Sequence, residues 1–152
     1  MVYQGAYAVL LVLHLLTVAF LVGPSAMAAL LSPGHARAGR VDALRTAART
    51  TRLYTMGTLV TVLLGSALVG ASGTRTPTWD MGDLWVAGSY VLWFVAVALV
   101  LLVVVPAQNQ AVRELEAGRG AERLAPRIGA GGGVAMLCWV AIIVLMVLKP
   151  GA

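Results

Sequence analysis

Apolar residues dominate four stretches of this chain, at about 5–31, 53–71, 84–106 and 129–148, and polar residues collect in the gaps between them. Each stretch is close to the ~20 residues that a helix needs to cross ~30 Å of hydrocarbon. None shows the every-second-residue alternation of a barrel strand. A backbone in lipid must satisfy its own hydrogen bonds, so the pattern predicts four transmembrane helices forming an all-α bundle, a single four-span membrane domain over residues 1–152. The first run differs from a secretory signal. Met1-Val-Tyr-Gln carries no basic residue, the apolar stretch is about twice the usual length, and Arg-rich sequence follows it, so it is expected to stay attached.

Charge then gives the bundle a direction. Arg37, Arg40, Arg45, Arg49 and Arg52 fall between runs one and two, and Arg113, Arg119, Arg123 and Arg127 between runs three and four, leaving Arg75 alone in the middle gap. The positive-inside rule therefore predicts both Arg-rich gaps in the cytoplasm and an N-out, C-out topology. A chain that is 60% hydrophobic and 11% charged has no soluble fold at this length. The excess of Arg over Lys, with abundant Ala, Gly and Val, points to a GC-rich bacterial genome and so to the bacterial inner membrane. A net charge of +5 is accounted for by the basic rim, and no aromatic residues interleave the loop arginines to stack bases, so nucleic acid is not an expected partner. The single Cys138 excludes an intramolecular disulfide or a Cys-pair metal site, and no metal site is expected.

In the first gap, Ser32-Pro-Gly reads as a break and Asp42 as the cap of a helix running straight into run two. On that helix Arg45, Arg49 and Arg52 recur at helical spacing, one basic face suited to anionic lipid headgroups or a partner protein. The second basic gap reads as two helix extensions joined by a bend at Gly118-Arg-Gly. The middle gap, 72–83, carries Trp79 and, just beyond it, Trp85 as expected interface anchors, with Asp80 or Asp83 capping run three.

Inside the runs, small residues and one histidine stand out. Gly57 and Gly65, with Thr61 between them, form a stripe at every fourth position, and Gly129 and Gly133 share GxxxG spacing; both predict close helix packing. His14 is the titratable residue well inside an apolar run, and helical spacing puts Tyr7, Thr17 and Ser25 on its side of the helix. Pro24, after Gly23, frees the carbonyl of Phe20 and predicts a kink beside that face. Such a histidine is either a neutral bridge between helices or a cofactor ligand, haem being the candidate. With His35 in the basic gap, a bis-His haem site within one chain is not expected.

The segments Leu13-His14-Leu15 leading to Val22-Gly23, Arg52-Leu-Tyr54-Thr before run two, Val105-Pro-Ala-Gln108 ending run three, and the terminal Leu145-Met-Val-Leu-Lys149-Pro150 resemble, in order and spacing, an uncharacterised family of small bacterial four-span integral membrane proteins. More distantly, the His-bearing first helix is similar to the membrane domain of copper-resistance protein D and to the small haem-associated protoporphyrinogen oxidase. That last resemblance would map an intramembrane His and a Lys onto His14 and Lys149, although Lys149 stands at the extreme end of run four. The methionines form no copper-transport cluster. The expected role is an accessory or structural subunit or homo-oligomer, in the bilayer or a larger membrane complex, without catalysis of its own. The rival is a haem- or quinone-linked redox protein using His14. A small transporter or channel is a third reading, disfavoured because the runs hold no Asp, Glu, Lys or Arg.

Overall fold

The computed structural model describes residues 2–71 and 80–150, with side chains from Gly5 onward, so the expectations for Arg75 and Trp79 lie outside the described residues. The four apolar runs are four long helical rods, Gly5–Arg37, Val41–Ala71, Leu84–Glu116 and Glu122–Leu148, each apolar enough to cross a membrane. The fold is all-α, with no strand among the described residues. The first rod is α1 (Val2–Thr17), a π turn (Val18–Val22) and α2 (Gly23–Arg37); the second is α3 (Val41–Ala71). The third is α4 (Leu84–Leu99), a π turn (Val100–Val104) and α5 (Val105–Glu116); a 3-10 turn (Glu122–Leu124) then leads into α6 (Ala125–Leu148).

The two π turns share a cause. Each ends two residues before a proline, Pro24 or Pro106, whose ring has no N–H to donate and crowds the preceding turn. A wider turn there absorbs the lost bond without breaking the rod. The expected kink at Pro24 therefore takes the form of a π turn at Val18–Val22, and the third rod repeats it.

The rods overrun their apolar runs at the Arg-rich end. There the extensions build a core of their own: Leu44, Val112, Ala111, Ala121, Leu124 and Ile128 are buried together. The break expected at Ser32-Pro-Gly does not occur, because α2 continues through Pro33 to Arg37. Packing overrides the local signal. Pro33 is buried beside Gly129, where a Cβ would meet its ring at 3.4 Å, Ser32 bonds back to the Ala28 carbonyl (2.6 Å), and the chain turns instead at Gly39, whose φ of 65° is open to glycine. Asp42 lies within the first turn of α3 rather than capping it, its carboxylate held by Arg45 (2.7 Å). Asp83 does stand at the cap position of α4, although its carboxylate turns back to the amide of Asp80 (3.0 Å).

The rods do not pack evenly along their length. At the basic end α2 lies against both α3 and α6, and α5 against α3. At the far end the closest backbone pairs are α1 with α3 and α4 with α6; α3 meets α4 through side chains, Val69 packing with Trp85 and Val86, whereas α1 makes no substantial contact with α4 or α6. Large apolar side chains on every rod, among them Leu53, Leu63, Phe94, Leu102 and Val147, face outward as a bilayer-spanning protein requires.

Candidate functional site

Between the two pairs lies a cavity of about 320 Å³. Tyr7 and His14 of α1, Thr61 and Gly65 of α3, Trp85, Tyr90 and Trp93 of α4, and Trp139 of α6 line it, with Lys149 at its far end. His14 is 6% exposed and its position is built by two residues of α3. Its Nδ1 lies 2.9 Å from the Thr61 carbonyl oxygen, and since a carbonyl only accepts, Nδ1 carries the proton. In the neutral imidazole Nε2 then holds a lone pair, and with Nδ1 tied to the wall it is the nitrogen left for whatever fills the cavity. Gly65 makes room for the ring, because a Cβ there would stand 3.1 Å from His14 Cε1.

Thr61 contributes twice. Its carbonyl orients His14, and its own hydroxyl, on a residue 8% exposed, has no hydrogen-bond partner among the described residues. A buried hydroxyl without a partner is uncommon in a native interior. Between α3 and α4 the hydroxyls of Ser66 and Tyr90 share a hydrogen bond, and the Trp93 indole donates to Thr58 Oγ1 (3.1 Å), stitching the two rods together. The open side is therefore the gap between α1 and α6, flanked by the outward-facing Leu15 and Ile143.

The face proposed from helical spacing divides. Tyr7 and His14 line the cavity. Thr17 does not; its hydroxyl bonds to the His14 carbonyl (2.8 Å) on its own helix. Ser25, one π turn further on, belongs to a second polar cluster at the basic end, where it meets Thr55 Oγ1 (2.6 Å). That cluster centres on Gln108, fully buried, whose Nε2 donates to Ser32 Oγ (2.6 Å) and Thr51 Oγ1 (3.2 Å), while its Oε1 has no partner among the described residues. Gln108 was not singled out for its chemistry by the sequence; a polar residue two places after Pro106 read as the end of run three.

The basic face divides as well. Arg45 is engaged by Asp42 and by Glu116 of α5, joining the two rods, whereas Arg49 and Arg52 are exposed. Glu114 similarly gathers Arg119 (2.5 Å) and Arg123 (2.9 Å). Of the packing glycines, Gly57 meets Leu21 and Gly129 meets Pro33, but the site of a Cβ on Gly133 is open. The close approaches on α6 come at Gly131, against Val104, and Gly132, against Ala29. Trp85, expected as an interface anchor, is 6% exposed and lies under the Lys149 ammonium, 5.7 Å from its ring centre. The two residues singled out by the oxidase resemblance, His14 and Lys149, thus border one cavity.

No group of three or more metal-binding side chains occurs among the described residues, and His35 lies at the basic end, beyond reach of the cavity lining. One imidazole nitrogen is available, enough for a single axial bond to a haem iron or one hydrogen bond to an organic ligand. Neither the curated proteins nor the solved structures compared give a match. The family described as "Predicted integral membrane protein (DUF2269)" matches residues 8–150, which is nearly the whole chain and includes His14, Thr61, Gly65 and Lys149, and the chain belongs to that family.

Proposed function

We propose that this integral membrane protein is an accessory subunit of the bacterial inner membrane that holds a lipid-soluble ring ligand, a haem or a quinone, against His14. The observation that carries the reading is the fixed tautomer of His14: a proton committed to the Thr61 carbonyl and a lone pair left beside an aromatic-walled space. A histidine that merely bridged two helices would need no cavity next to it. In this reading the chain supplies a site and its orientation within a larger membrane complex or homo-oligomer. The basic end faces the cytoplasm, where the exposed Arg49 and Arg52 meet anionic headgroups and Arg45 works within the molecule.

The test is direct. Protein purified gently from its own membranes is scanned for a Soret band, and its organic extract is assayed for quinones, beside His14→Gln prepared in the same way. A chromophore kept by the wild type and lost from the variant is the expected result. Equal retention by both, or none in either, would leave only a packing role for His14. Topology is checked separately: a periplasmic reporter active when fused between Arg37 and Arg40 would overturn the orientation.

A further inference from the structure

His14 Nδ1 is committed as a donor to the Thr61 carbonyl, the support that a metal-ligating imidazole almost always takes, because it fixes the ring and makes the other nitrogen more basic. Nε2 has no hydrogen-bond partner among the described residues and, unlike the sealed Thr61 hydroxyl, keeps accessible surface on a side chain of the cavity lining. A lone pair is all it presents. A metal ion held in a flat ring takes that lone pair directly, whereas the carbonyl oxygen of an oxidised quinone, itself an acceptor, does not.

The far end of the cavity offers a charge. α6 ends at Lys149, whose backbone takes the left-handed conformation (φ 44°) that at a helix end usually falls to glycine. Its ammonium lies over the Trp85 ring, 5.7 Å from the centre, and both residues line the cavity. Gly65 seats the His14 ring, and Val69, four residues or about 6 Å further along α3, packs with Trp85, so the cation stands at least one helical turn outward of the imidazole. That order of separation is the one between the metal of a porphyrin and the carboxylates on its edge. The rest of the ring is apolar, and so is the rest of the space: Trp93 and Trp139 wall it, and between α1 and α6 the exposed Leu11, Leu15, Ile143 and Val147 open it to lipid. A neutral quinone ring has nothing to set against Lys149.

From these observations we infer that the ligand is a metalloporphyrin bearing carboxylates, a haem, held through its iron by His14 Nε2 and oriented by a carboxylate on the Lys149 ammonium, with its apolar edge toward the lipid between α1 and α6. The inference rests on the ring-ligand reading above and narrows it to one chemical class in one orientation.

The experiment titrates the full-length protein in detergent with haemin, with haemin dimethyl ester and with iron-free protoporphyrin, following the Soret band and the quenching of tryptophan fluorescence. Wild type should bind haemin saturably with a shifted Soret band, and more tightly than iron-free protoporphyrin, a contrast that needs no variant. His14→Gln should abolish the shift and leave the affinity for iron-free protoporphyrin unchanged. Lys149→Gln should weaken haemin binding about fivefold, the upper range for an ion pair at a surface, and Lys149→Arg should restore it. The dimethyl ester, with no carboxylate to lose, should bind wild type and Lys149→Gln alike. Circular dichroism checks that each variant is folded. A Soret shift that survives in His14→Gln would overturn the iron contact; haemin affinity unchanged in Lys149→Gln, or lowered equally for the ester, would overturn the orientation. A quinone retained by the protein from its own membranes, with no saturable haemin response, would overturn the haem assignment and leave the ring-ligand reading standing. No retained quinone and no saturable porphyrin binding would overturn both.

Discussion

The basic half of this bundle is shut and the far half stands open between α1 and α6, and the residues at the helix contacts account for the difference. In the basic half the backbones come together over Gly129, Gly131, Gly132, Ala29 and Ala107, and the polar groups between them are mostly paired through Gln108, Ser32 and Thr51. In the far half the contact positions carry Tyr7, His14, Trp85, Tyr90, Trp93 and Trp139, side chains too large for two helix pairs to close over. Lipid offers no hydrophobic drive to squeeze such a space shut, since tails solvate apolar side chains as well as a neighbouring helix does. Small residues thus make structure at one end, and large residues keep room at the other.

The comparison breaks first at two glycines. A Cβ on Gly131 would fall 2.8 Å from a methyl of Val104, a fully buried, β-branched side chain with little freedom to move. Gly131→Ala should therefore cost about 1–3 kcal/mol through overpacking, read as a lower midpoint of thermal unfolding in detergent. Gly65→Ala should be close to neutral. Its Cβ would meet His14 Cε1 at 3.1 Å, but that ring borders open space and can give way, and alanine brings back about 0.8–1.0 kcal/mol of helix preference. Gly133→Ala, with nothing in its way, should gain that preference outright. If Gly65→Ala proved as damaging as Gly131→Ala, the far half would be as tightly packed as the basic half.

Gln108 tests the closed half from its polar side. Gln108→Leu removes donors to Ser32 and Thr51, two bonds at ~0.6 kcal/mol each in membrane bundles, or about 1 kcal/mol in all. It also removes Oε1, an acceptor with no partner among the described residues, whose desolvation works against the fold. A modest loss of stability is expected. A more stable variant would show that the unpaired oxygen outweighs the two bonds, and that this network is kept for something other than stability.

The opening was hidden from the sequence for physical reasons. Four apolar runs announce four spans regardless of how they pack, because span length answers only to membrane thickness. The overrun at the basic end depends on Leu44, Val112 and Leu124, isolated apolar residues among charges that show their common face only once the helices are paired. Pro33 read as a break because its local signal is strong; its burial against Gly129 is a tertiary fact. His14 was legible as an intramembrane imidazole, and Tyr7 followed from its spacing. Thr17 was misleading, since a hydroxyl on a helix can satisfy itself three residues back. Thr61 was visible only as a member of a small-residue stripe. Its two roles, a carbonyl that fixes the His14 tautomer and a hydroxyl left over, need the distance between α1 and α3 to be known.

The smallest expected effect on stability sharpens the comparison most. His14→Gln keeps a hydrogen-bond donor near the Thr61 carbonyl, so the folded state should lose no more than ~0.6 kcal/mol, an average intramembrane bond. The adjoining cavity can take up the change in shape, as the basic half could not. A glutamine amide offers no nitrogen lone pair, however, so a ligand that depends on Nε2 should be lost while the unfolding midpoint barely moves. Stability and binding are then governed by opposite ends of the bundle: Gly131→Ala should lower the midpoint and leave the affinity of whatever protein remains folded unchanged, and His14→Gln should do the reverse. If both variants lost stability and ligand together, the two halves would be one cooperative unit, and the cavity would be part of what holds the bundle closed rather than a space held open beside it.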